Sequence, residues 1–402
     1  MSGHANAQRM RQQQWLYDRL IQASGPDFYW PMTEMTLTAC GVDVSADIRG
    51  IRMSVKKLID ITRELTRVGD KRANMAKRAE SDGHLVTARQ NYFSAAVFYT
   101  MAQGPIHEDD NKINLALSAK KAAAYDKFIQ YAGHRIEKVE IPFQGKSLPG
   151  YLHFPPNATG QSPCVVLLGG MDSFKEILVT GPTDKFLERG MAVLCFDGPG
   201  QNEARITRKV CVTENNFIEA GRQAMDFLLK RPDIDADRIG IVGTSMATYW
   251  ITQIVAEDHR YKAAAGFYVC HESGMDTIFN HAVPVFKDRF MWMAGYNDEA
   301  KFDAFMKKLT LDGLGTKVKC PYLTVAGEDD HLSPIDATYK LHDEMTVPNH
   351  LIVYRKEAHG VADNMDARAM IADWMLDRLQ GKPIETRRIH MECRVGSGIE
   401  VK

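Results

Sequence analysis

Ser245 stands at a predicted junction between a strand and a helix. The apolar run 239–242 precedes it, and the helix-compatible stretch 248–252 follows it. A serine on such a tight turn projects out of a sheet, and small residues two positions away on either side keep the strand and the helix from colliding. Gly243 meets this requirement, and Ala247, which is larger than glycine by one methyl group, is still small enough to meet it. The sequence therefore predicts a nucleophile elbow, in which alanine replaces the commoner second glycine.

An acid and a histidine follow at the ends of two later predicted strands. Asp330 lies just past the apolar run 321–326, and His359 lies just past the β-branched run 350–354. Serine, acid and histidine, each after a strand, come in the order in which α/β-hydrolases carry a catalytic triad. The predicted catalytic residues are Ser245, Asp330 and His359. The neighbouring Asp329 remains an alternative to Asp330.

A glycine pair after another predicted strand supplies a candidate oxyanion hole. Gly169 and Gly170 follow the strand 165–168 and allow the backbone to approach a carbonyl oxygen closely. Two backbone N–H groups in such a place stabilise the negative charge that develops on that oxygen. We predict that these N–H groups belong to Met171 and to Met246, the residue directly after the nucleophile.

The pattern divides the chain into a helical first third and an α/β remainder. Residues 1–133 carry apolar residues at three- and four-residue spacing and predict an all-helical cap domain, with separate helices over 44–65 and 72–82. Residues 134–402 alternate short apolar runs with helical patterns, which predicts a mostly parallel, doubly wound sheet in an α/β-hydrolase catalytic domain. The aromatic-rich stretch 271–318 falls between nucleophile and acid, where this fold accepts a lid insertion.

Composition and charge exclude several classes of protein. The 402 residues carry a formal net charge of −1, which gives no overall attraction to nucleic acid or to an anionic membrane. The basic stretch 52–80 alternates charged with apolar residues, as the solvated face of an amphipathic helix does. No apolar run approaches the roughly 18 residues of a transmembrane helix. The first residues lack the apolar core of a signal peptide, so we expect a cytoplasmic protein.

Cysteine and histidine usage favours neither disulfides nor a metal site. The seven cysteines form no C-x-x-C pair, and several lie in apolar strand-like runs, as buried thiols do in a reducing compartment. The thirteen histidines show no metal-ligand spacing. Neither a dinucleotide-binding nor a P-loop glycine motif occurs, so we predict no metal and no cofactor.

The ordered motifs together resemble a known group of enzymes. They are the segments 169–176, 196–201, 243–246, 327–330 and 358–360, after a helical first third. The chain resembles the esterase-like α/β-hydrolases, the group that includes dihydroxy-pseudo-oxynicotine hydrolase, fungal polyketide-shortening hydrolases and fermentation-respiration-switch proteins. The resemblance implies a helical cap over the triad, no cofactor, often a homodimer, and in several members hydrolysis of a carbon–carbon bond next to a ketone.

These observations lead to a hypothesis about the reaction. We expect a serine hydrolase that forms an acyl-enzyme and cleaves a ketone C–C bond or an ester in a hydrophobic, aromatic or polyketide-like carbonyl compound. A simple carboxylesterase or thioesterase is the alternative, and a non-catalytic regulatory protein on a hydrolase scaffold is an alternative of another class. C–C cleavage calls for a further polar residue to steer a proton, and Cys270, His271 and Glu272 are candidates. The candidate substrate contacts are Glu272, His271, Trp292 and Tyr99, although Tyr99 equally suits helix packing and the aromatic stretch equally suits a core.

Overall fold

A ten-stranded sheet forms the centre of the part of the protein that the structure describes. The structure is a computed structural model, and it describes residues 15–26, 37, 40, 47–181, 184–361, 364–394 and 398–401. The strands are β1 Ile136–Phe143, β2 Lys146–His153, β3 Ser162–Leu168, β4 Ala192–Phe196, β5 Ile234–Thr244, β6 Ala264–Phe267, β7 Tyr322–Gly327, β8 Asn349–Tyr354, β9 Arg387–Arg394 and β10 Gly398–Val401. Their order across the sheet is β1-β2-β4-β3-β5-β6-β7-β8-β9-β10, and neighbouring strands from β4 to β9 in that order run parallel. The predicted mostly parallel sheet is confirmed.

Helices precede the sheet and alternate with its strands. They are α1 15–24, α2 Asp47–Ser54, α3 Leu58–Ser81, α4 Leu85–Ala102, α5 Lys112–Gln130, α6 Lys175–Leu178, α7 Asn202–Ile206, α8 Asn216–Leu229, α9 Met246–Glu257, α10 Val285–Ala294, α11 Glu299–Met306, α12 Ile335–Glu344 and α13 Asn364–Leu379. We refer to α1–α5 as the helical region and to residues 271–318, between β6 and β7, as the insertion. In the described part of the chain, no helix is both long enough and apolar enough to cross a membrane.

The central strands are covered on both faces. Every residue of β3, β4 and β7 is buried, and α8, α9 and α13 all pack against β5. Parallel strands between two helical layers need apolar side chains on both faces, so they show continuous apolar runs rather than alternation. This is why the sequence pattern located these strands well, and it fixes the sheet edge at which the site residues emerge.

The helical region differs from the prediction in where its helices break. Residues 58–81 form one continuous helix, α3, so the predicted break between 65 and 72 is wrong, and the chain breaks instead before Leu58. There the Asp60 carboxylate accepts the backbone N–H groups of Lys56 and Lys57 at 3.0 and 2.9 Å, which caps the start of α3. The first part of the segment predicted as helix, residues 44–46, lies outside the described residues.

The strands at one edge of the sheet were not predicted. β9 runs parallel to β8, pairing Arg387 with His350 and Met391 with Tyr354, and β10 folds back antiparallel on β9. β9 therefore lies one strand in from the edge, and its sequence is rich in arginine. Charged residues within a strand mask the apolar alternation that identifies it.

Candidate active site

The backbone at Ser245 has the geometry of a strained turn. Its φ of 55° and ψ of −127° lie in a region that non-glycine residues rarely adopt. The turn is held by a hydrogen bond from the Ser245 N–H to the Phe267 carbonyl, 2.9 Å long. A Cβ on Gly243 would lie 2.6 Å from the carbonyl oxygen of Ala247. Strand β5 and helix α9 thus approach so closely that position 243 needs glycine, while the Ala247 methyl is fully buried without conflict.

Three side chains from three strand ends meet above this turn. The Ser245 Oγ lies 2.9 Å from Nε2 of His359, and Nδ1 of the same ring lies 2.7 Å from Oδ2 of Asp330. His359 and Asp330 are buried, at 2% and 6% relative exposure. Asp329 is exposed, so the geometry brings Asp330, rather than its neighbour, to the histidine.

The Asp330 carboxylate is held by the backbone as well as by the histidine. Its Oδ1 accepts the N–H groups of Leu332 and Ser333 at 2.8 and 3.3 Å. These bonds leave Oδ2 free to face His359. A carboxylate fixed in this way holds the imidazole in one orientation and one tautomer, with the proton on Nδ1 and the lone pair of Nε2 toward Ser245.

The glycine loop after β3 lies directly against the serine. A Cβ on Gly170 would lie 2.8 Å from the Cβ of Ser245 and 3.0 Å from the carbonyl oxygen of Thr244, so only glycine fits. Met246 is the first residue of α9, and an N–H in the first turn of a helix has no acceptor within the helix. Met171 is buried in the glycine loop. The structure thus brings both predicted N–H donors into segments that adjoin Ser245.

Arg289 of helix α10 fastens the glycine loop to the insertion. Its Nε donates to the carbonyl of Met171 at 3.0 Å and pairs with Oδ1 of Asp172 at 2.9 Å. Burial raises the pKa of Asp172, although Arg289 and His359 oppose that shift. No pattern in the sequence points to Arg289, because the partner of an arginine within an aromatic helix is decided only when the chain folds.

Two further residues lie near the triad: Cys270, a predicted candidate for steering a proton, and Tyr268, which the sequence did not single out. The Cys270 Sγ lies 3.9 Å from the Ser245 Oγ, and burial raises the pKa of this thiol, so it remains protonated. The Tyr268 ring centroid lies 5.9 Å from that of His359. Tyr268 also has a φ of 56°, a costly conformation for an aromatic residue. Strain of this kind clusters at functional sites.

His271 and Glu272, predicted as substrate contacts, engage other partners. The His271 ring is buried, its Nδ1 lies 3.1 Å from the Thr338 Oγ1, and burial lowers its pKa to about 3, so the ring is neutral. The Glu272 carboxylate accepts the N–H and the hydroxyl of Thr277 at 2.8 and 2.9 Å. Glu272 therefore caps the helical turn Thr277–His281.

Trp292 connects the insertion to the helical region. Its indole N–H donates to the Asp109 carboxylate at 3.2 Å, and the guanidinium of Arg205 lies 4.9 Å from its ring centroid. The His107 ring stacks on the indole with centroids 6.0 Å apart. Asp109 lies between α4 and α5, so Trp292 belongs to the contact between the insertion and that loop.

Tyr99 joins two helices of the helical region. Its hydroxyl donates to Asp70 on α3 at 2.7 Å, and its ring packs on Gly69, where a Cβ would lie 2.7 Å from the ring. Lys120 lies over the same ring at 5.5 Å. These contacts fit the packing role that the sequence left open for Tyr99.

The aromatic side chains of the insertion pack mainly on one another. Phe279 lies 5.0 Å from Phe290 and 5.4 Å from Phe302 between ring centroids, and all three are at most 2% exposed. This cluster is a small core of the insertion, the second of the two roles that the sequence allowed. Among the described residues, no group of three His, Cys, Asp or Glu side chains could hold a metal ion.

Comparison with known protein families decides the wider class. The family described as Esterase FrsA-like matches residues 62–380, which is most of the chain. The chain belongs to the FrsA-like esterase family. It is an α/β-hydrolase enzyme, and the match begins within helix α3, so this family shares part of the helical region as well as the sheet.

Individual relatives agree with the family. Alpha/beta hydrolase psoB of Aspergillus fumigatus is 29% identical over 333 residues, covering 70% of this chain and 74% of that protein. The 2,6-dihydropseudooxynicotine hydrolase of Paenarthrobacter nicotinovorans is 27% identical over 314 residues, covering 76% and 80%. The crystal structure of the 2,6-dihydroxy-pseudo-oxynicotine hydrolase superposes with a TM-score of 0.75 at 23% identity, over 88% of this chain and 98% of that one. The resemblance drawn from the sequence motifs is confirmed.

Proposed function

We propose that this FrsA-like esterase is a serine hydrolase that works through an acyl-enzyme. The observation that carries the proposal is the pair of short contacts from Ser245 to His359 and from His359 to Asp330, 2.9 and 2.7 Å long. In the first step the Ser245 Oγ forms a bond to the substrate carbonyl carbon, and its proton passes to Nε2 of His359. Asp330 stabilises the resulting imidazolium without taking its proton.

The remaining steps release first the leaving group and then an acid. The tetrahedral intermediate collapses, the bond to the leaving group breaks, and the leaving group takes the proton from His359. A water molecule then gives a proton to the same nitrogen and attacks the acyl carbon. When this second intermediate collapses, the bond from the carbon to the Ser245 Oγ breaks, and Oγ takes the proton back from His359. The backbone N–H groups of Met171 and Met246 stabilise the oxyanion in both halves, and one such donor is worth roughly 3 kcal/mol.

The substrate that we propose is a hydrophobic or aromatic carbonyl compound, cleaved at a ketone C–C bond or at an ester. The relatedness to a hydrolase of 2,6-dihydropseudooxynicotine supports an aryl-ketone type of substrate. A carbon leaving group departs as a carbanion or enolate and needs a placed proton donor, whereas an alkoxide takes the proton of His359 directly. Of the three residues considered for this task, Cys270 is the one whose side chain contacts Ser245.

We further propose a division of the chain into a cap, a catalytic domain and a lid. Residues 1–133 act as a cap, residues 134–402 as the catalytic domain, and the insertion at 271–318 as a lid. We propose that the protein is cytoplasmic and forms a homodimer. Light scattering of the purified protein measures its oligomeric state directly.

Labelling with a fluorophosphonate tests the proposed nucleophile. We expect the folded wild-type protein to be labelled and Ser245→Ala to remain unlabelled. Ser94→Ala is the matched control, because Ser94 is buried in α4 and its hydroxyl donates to the Gln90 carbonyl of the same helix. A folded wild-type protein that resists labelling contradicts the proposal and favours the non-catalytic alternative.

A substrate panel separates the two reaction classes. Purified protein is incubated with β-diketones, aryl ketones, aryl esters and thioesters, and the products are identified by mass spectrometry. Acid and ketone products from the diketones support C–C cleavage. Turnover of esters or thioesters alone supports the simple carboxylesterase or thioesterase.

A further inference from the structure

A tight turn after β4 places one glutamine beside the glycine loop. The Gln201 N–H donates to the Gly198 carbonyl at 3.0 Å, which closes a four-residue turn. Pro199 stands at the second position, and Gly200, with a φ of 79°, stands at the third. Proline followed by a residue of positive φ is the signature of a type II turn. The sequence Gly-Pro-Gly-Gln thus determines where Gln201 leaves the backbone.

The Gln201 side chain is buried and its amide is fully engaged. It is 2% exposed, and its Nε2 donates to the carbonyls of Gly169 and Gly170 at 2.7 and 2.8 Å. Its Oε1 accepts the Gly198 N–H at 2.8 Å. Both donor hydrogens of the amide and its acceptor are therefore used, and the reverse orientation would place an oxygen against two carbonyl oxygens.

The carbonyl that Gln201 binds belongs to the peptide that carries the proposed oxyanion donor. The Gly170 C=O and the Met171 N–H lie in one planar trans peptide, in which the two groups point in opposite directions. A bond from Gln201 to this carbonyl therefore holds the Met171 N–H pointing away from Gln201. The same loop lies against Ser245 through Gly170. Arg289 binds the next carbonyl, that of Met171, at 3.0 Å.

We infer that Gln201 is a positioning residue for the oxyanion hole: it fixes the Gly170–Met171 peptide plane so that the Met171 N–H is oriented before substrate binds. This inference rests on the proposed function, since it assumes that Met171 donates to the oxyanion. A donor that is fixed in advance stabilises the transition state without reorganisation, whereas a free peptide can rotate and lose the bond. Gln201 is thereby linked to kcat rather than to substrate binding.

Two substitutions separate the two halves of the amide. Gln201→Glu keeps an oxygen for the Gly198 N–H but replaces the donating nitrogen with an oxygen that faces two carbonyls. Gln201→Met keeps the approximate length of the side chain and removes every polar atom. We expect kcat to fall by roughly 10²-fold in both, the usual scale for one oxyanion donor, with KM nearly unchanged.

The pH dependence of Gln201→Glu gives a signature that a merely structural role would not. A protonated carboxyl group can donate to one carbonyl again, so the ratio of mutant to wild-type kcat rises as the pH falls. Gln201→Met keeps a constant ratio over the same range. A Gln201→Glu ratio that stays flat with pH contradicts the inference.

Gln253→Glu is the matched control. Gln253 is also a buried glutamine of the catalytic domain, but its Nε2 donates to the Glu214 carbonyl and the Tyr249 hydroxyl, away from the glycine loop. We expect it to lower thermal stability without the selective loss of kcat. If Gln253→Glu lowers kcat as much as the Gln201 variants do, the effect is one of general destabilisation and the inference is overturned.

A measurement on the wild-type protein covers the case in which the variants do not fold. A boronic acid forms a tetrahedral adduct on the nucleophile and mimics the oxyanion. Selective ¹⁵N-methionine labelling then reports on the Met171 N–H, whose NMR resonance is assigned by its loss in Met171→Leu. We expect a downfield shift of this proton on binding. An unchanged resonance in a boronate-inhibited protein overturns the inference. Wild-type protein that neither turns over substrate nor labels at Ser245 contradicts the proposed function instead.

Discussion

The catalytic sheet and the helical region use their polar side chains in different ways. In the sheet, Ser245, Asp330 and His359 follow the ends of β5, β7 and β8 and meet directly, because neighbouring parallel strands end at the same edge. In the helical region, the hydroxyl of Tyr99 is used to join α4 to α3 through Asp70. A residue that follows a parallel strand thus lies at a predictable edge of the sheet. The partner of a residue within a helix depends instead on how the neighbouring helices pack.

The two regions meet through buried charges. Lys121 of α5 lies 3.2 Å from the Glu176 carboxylate, and Lys175 pairs with Glu176, Asp197 and Glu203 at 2.9, 3.1 and 2.6 Å. Burial by itself raises the pKa of Glu176, but Lys121 and Lys175 together hold it at about 2. Two lysines are thus shared among three carboxylates where the helical region contacts the loops of the sheet. The contact between the regions depends on charge as well as on apolar packing.

The largest expected effect lies in the triad. Asp330→Asn should lower kcat by roughly 10⁴-fold, because an amide favours the wrong tautomer of His359. Asp329→Asn is the control, since Asp329 is the exposed neighbour and its replacement should change kcat by no more than about a factor of two. Steady-state kinetics on one substrate of the panel measure both. Equal losses in the two variants would contradict the assignment of the acid.

The charged contact between the regions should dominate stability. Lys121→Met leaves one lysine among three carboxylates, and breaking a buried ion pair costs roughly 3 to 5 kcal/mol. Lys120→Met is the matched control on the same helix, because the Lys120–Asp70 pair is 45% exposed on both sides and should contribute less than about 1 kcal/mol. Urea denaturation measures the difference. Equal urea midpoints in the two variants would contradict the prediction that the buried charges contribute more to stability than the exposed pair.

An added methyl group at one glycine of each region sharpens the contrast. Gly170→Ala pushes on the Cβ of Ser245 and on a backbone oxygen, so we expect kcat to fall by about 10- to 100-fold with a small change in stability. Gly69→Ala meets only the ring of Tyr99. That side chain can shift, and alanine favours the helix, so stability should change by no more than about 1 kcal/mol and kcat should stay unchanged. Kinetics and thermal melting of both variants test the pair.

The smallest expected effect depends on pH. Glu80 accepts hydrogen bonds from Lys127, Tyr131 and Tyr92, which lower its pKa from 4.5 to about 2. The folded pKa is below the unfolded one, so the stabilisation is complete above about pH 5 and is lost as the pH falls toward 2. Glu80→Gln should therefore lower stability by about 1 kcal/mol at pH 7. Denaturation curves that remain as far apart at pH 3 as at pH 7 would contradict this origin.

Prediction from sequence succeeded where the physical signal is local. Parallel strands covered on both faces appear as continuous apolar runs, so β3, β4, β5 and β7 were found. The continuous helix α3 and the strand β9, next to the edge of the sheet, were not. Gly69 and the polar residues around it weaken the helical pattern of α3, and the arginines of β9 conceal its alternation.

The same distinction holds within the candidate site. Spacing alone placed Ser245, Asp330 and His359 after strands, and the glycine loop before them. It favoured Asp330 but left Asp329 open, because the choice depends on which carboxylate is buried against the ring. The predicted roles of Glu272 and Trp292 rested on their position along the chain, and their partners, Thr277 and Asp109, are set by local capping and by a distant loop.

The sequence by itself determined the alternation of strands and helices, the strained turn at Ser245, the type II turn before Gln201 and the order of the triad residues. Each of these depends on backbone preferences and on apolar periodicity within a few residues. Only the tertiary structure decided that Gln201 binds the carbonyls of Gly169 and Gly170 and that Arg289 binds the carbonyl of Met171. Such bonds join residues far apart in the chain, and a buried polar group takes the partners that packing brings within reach.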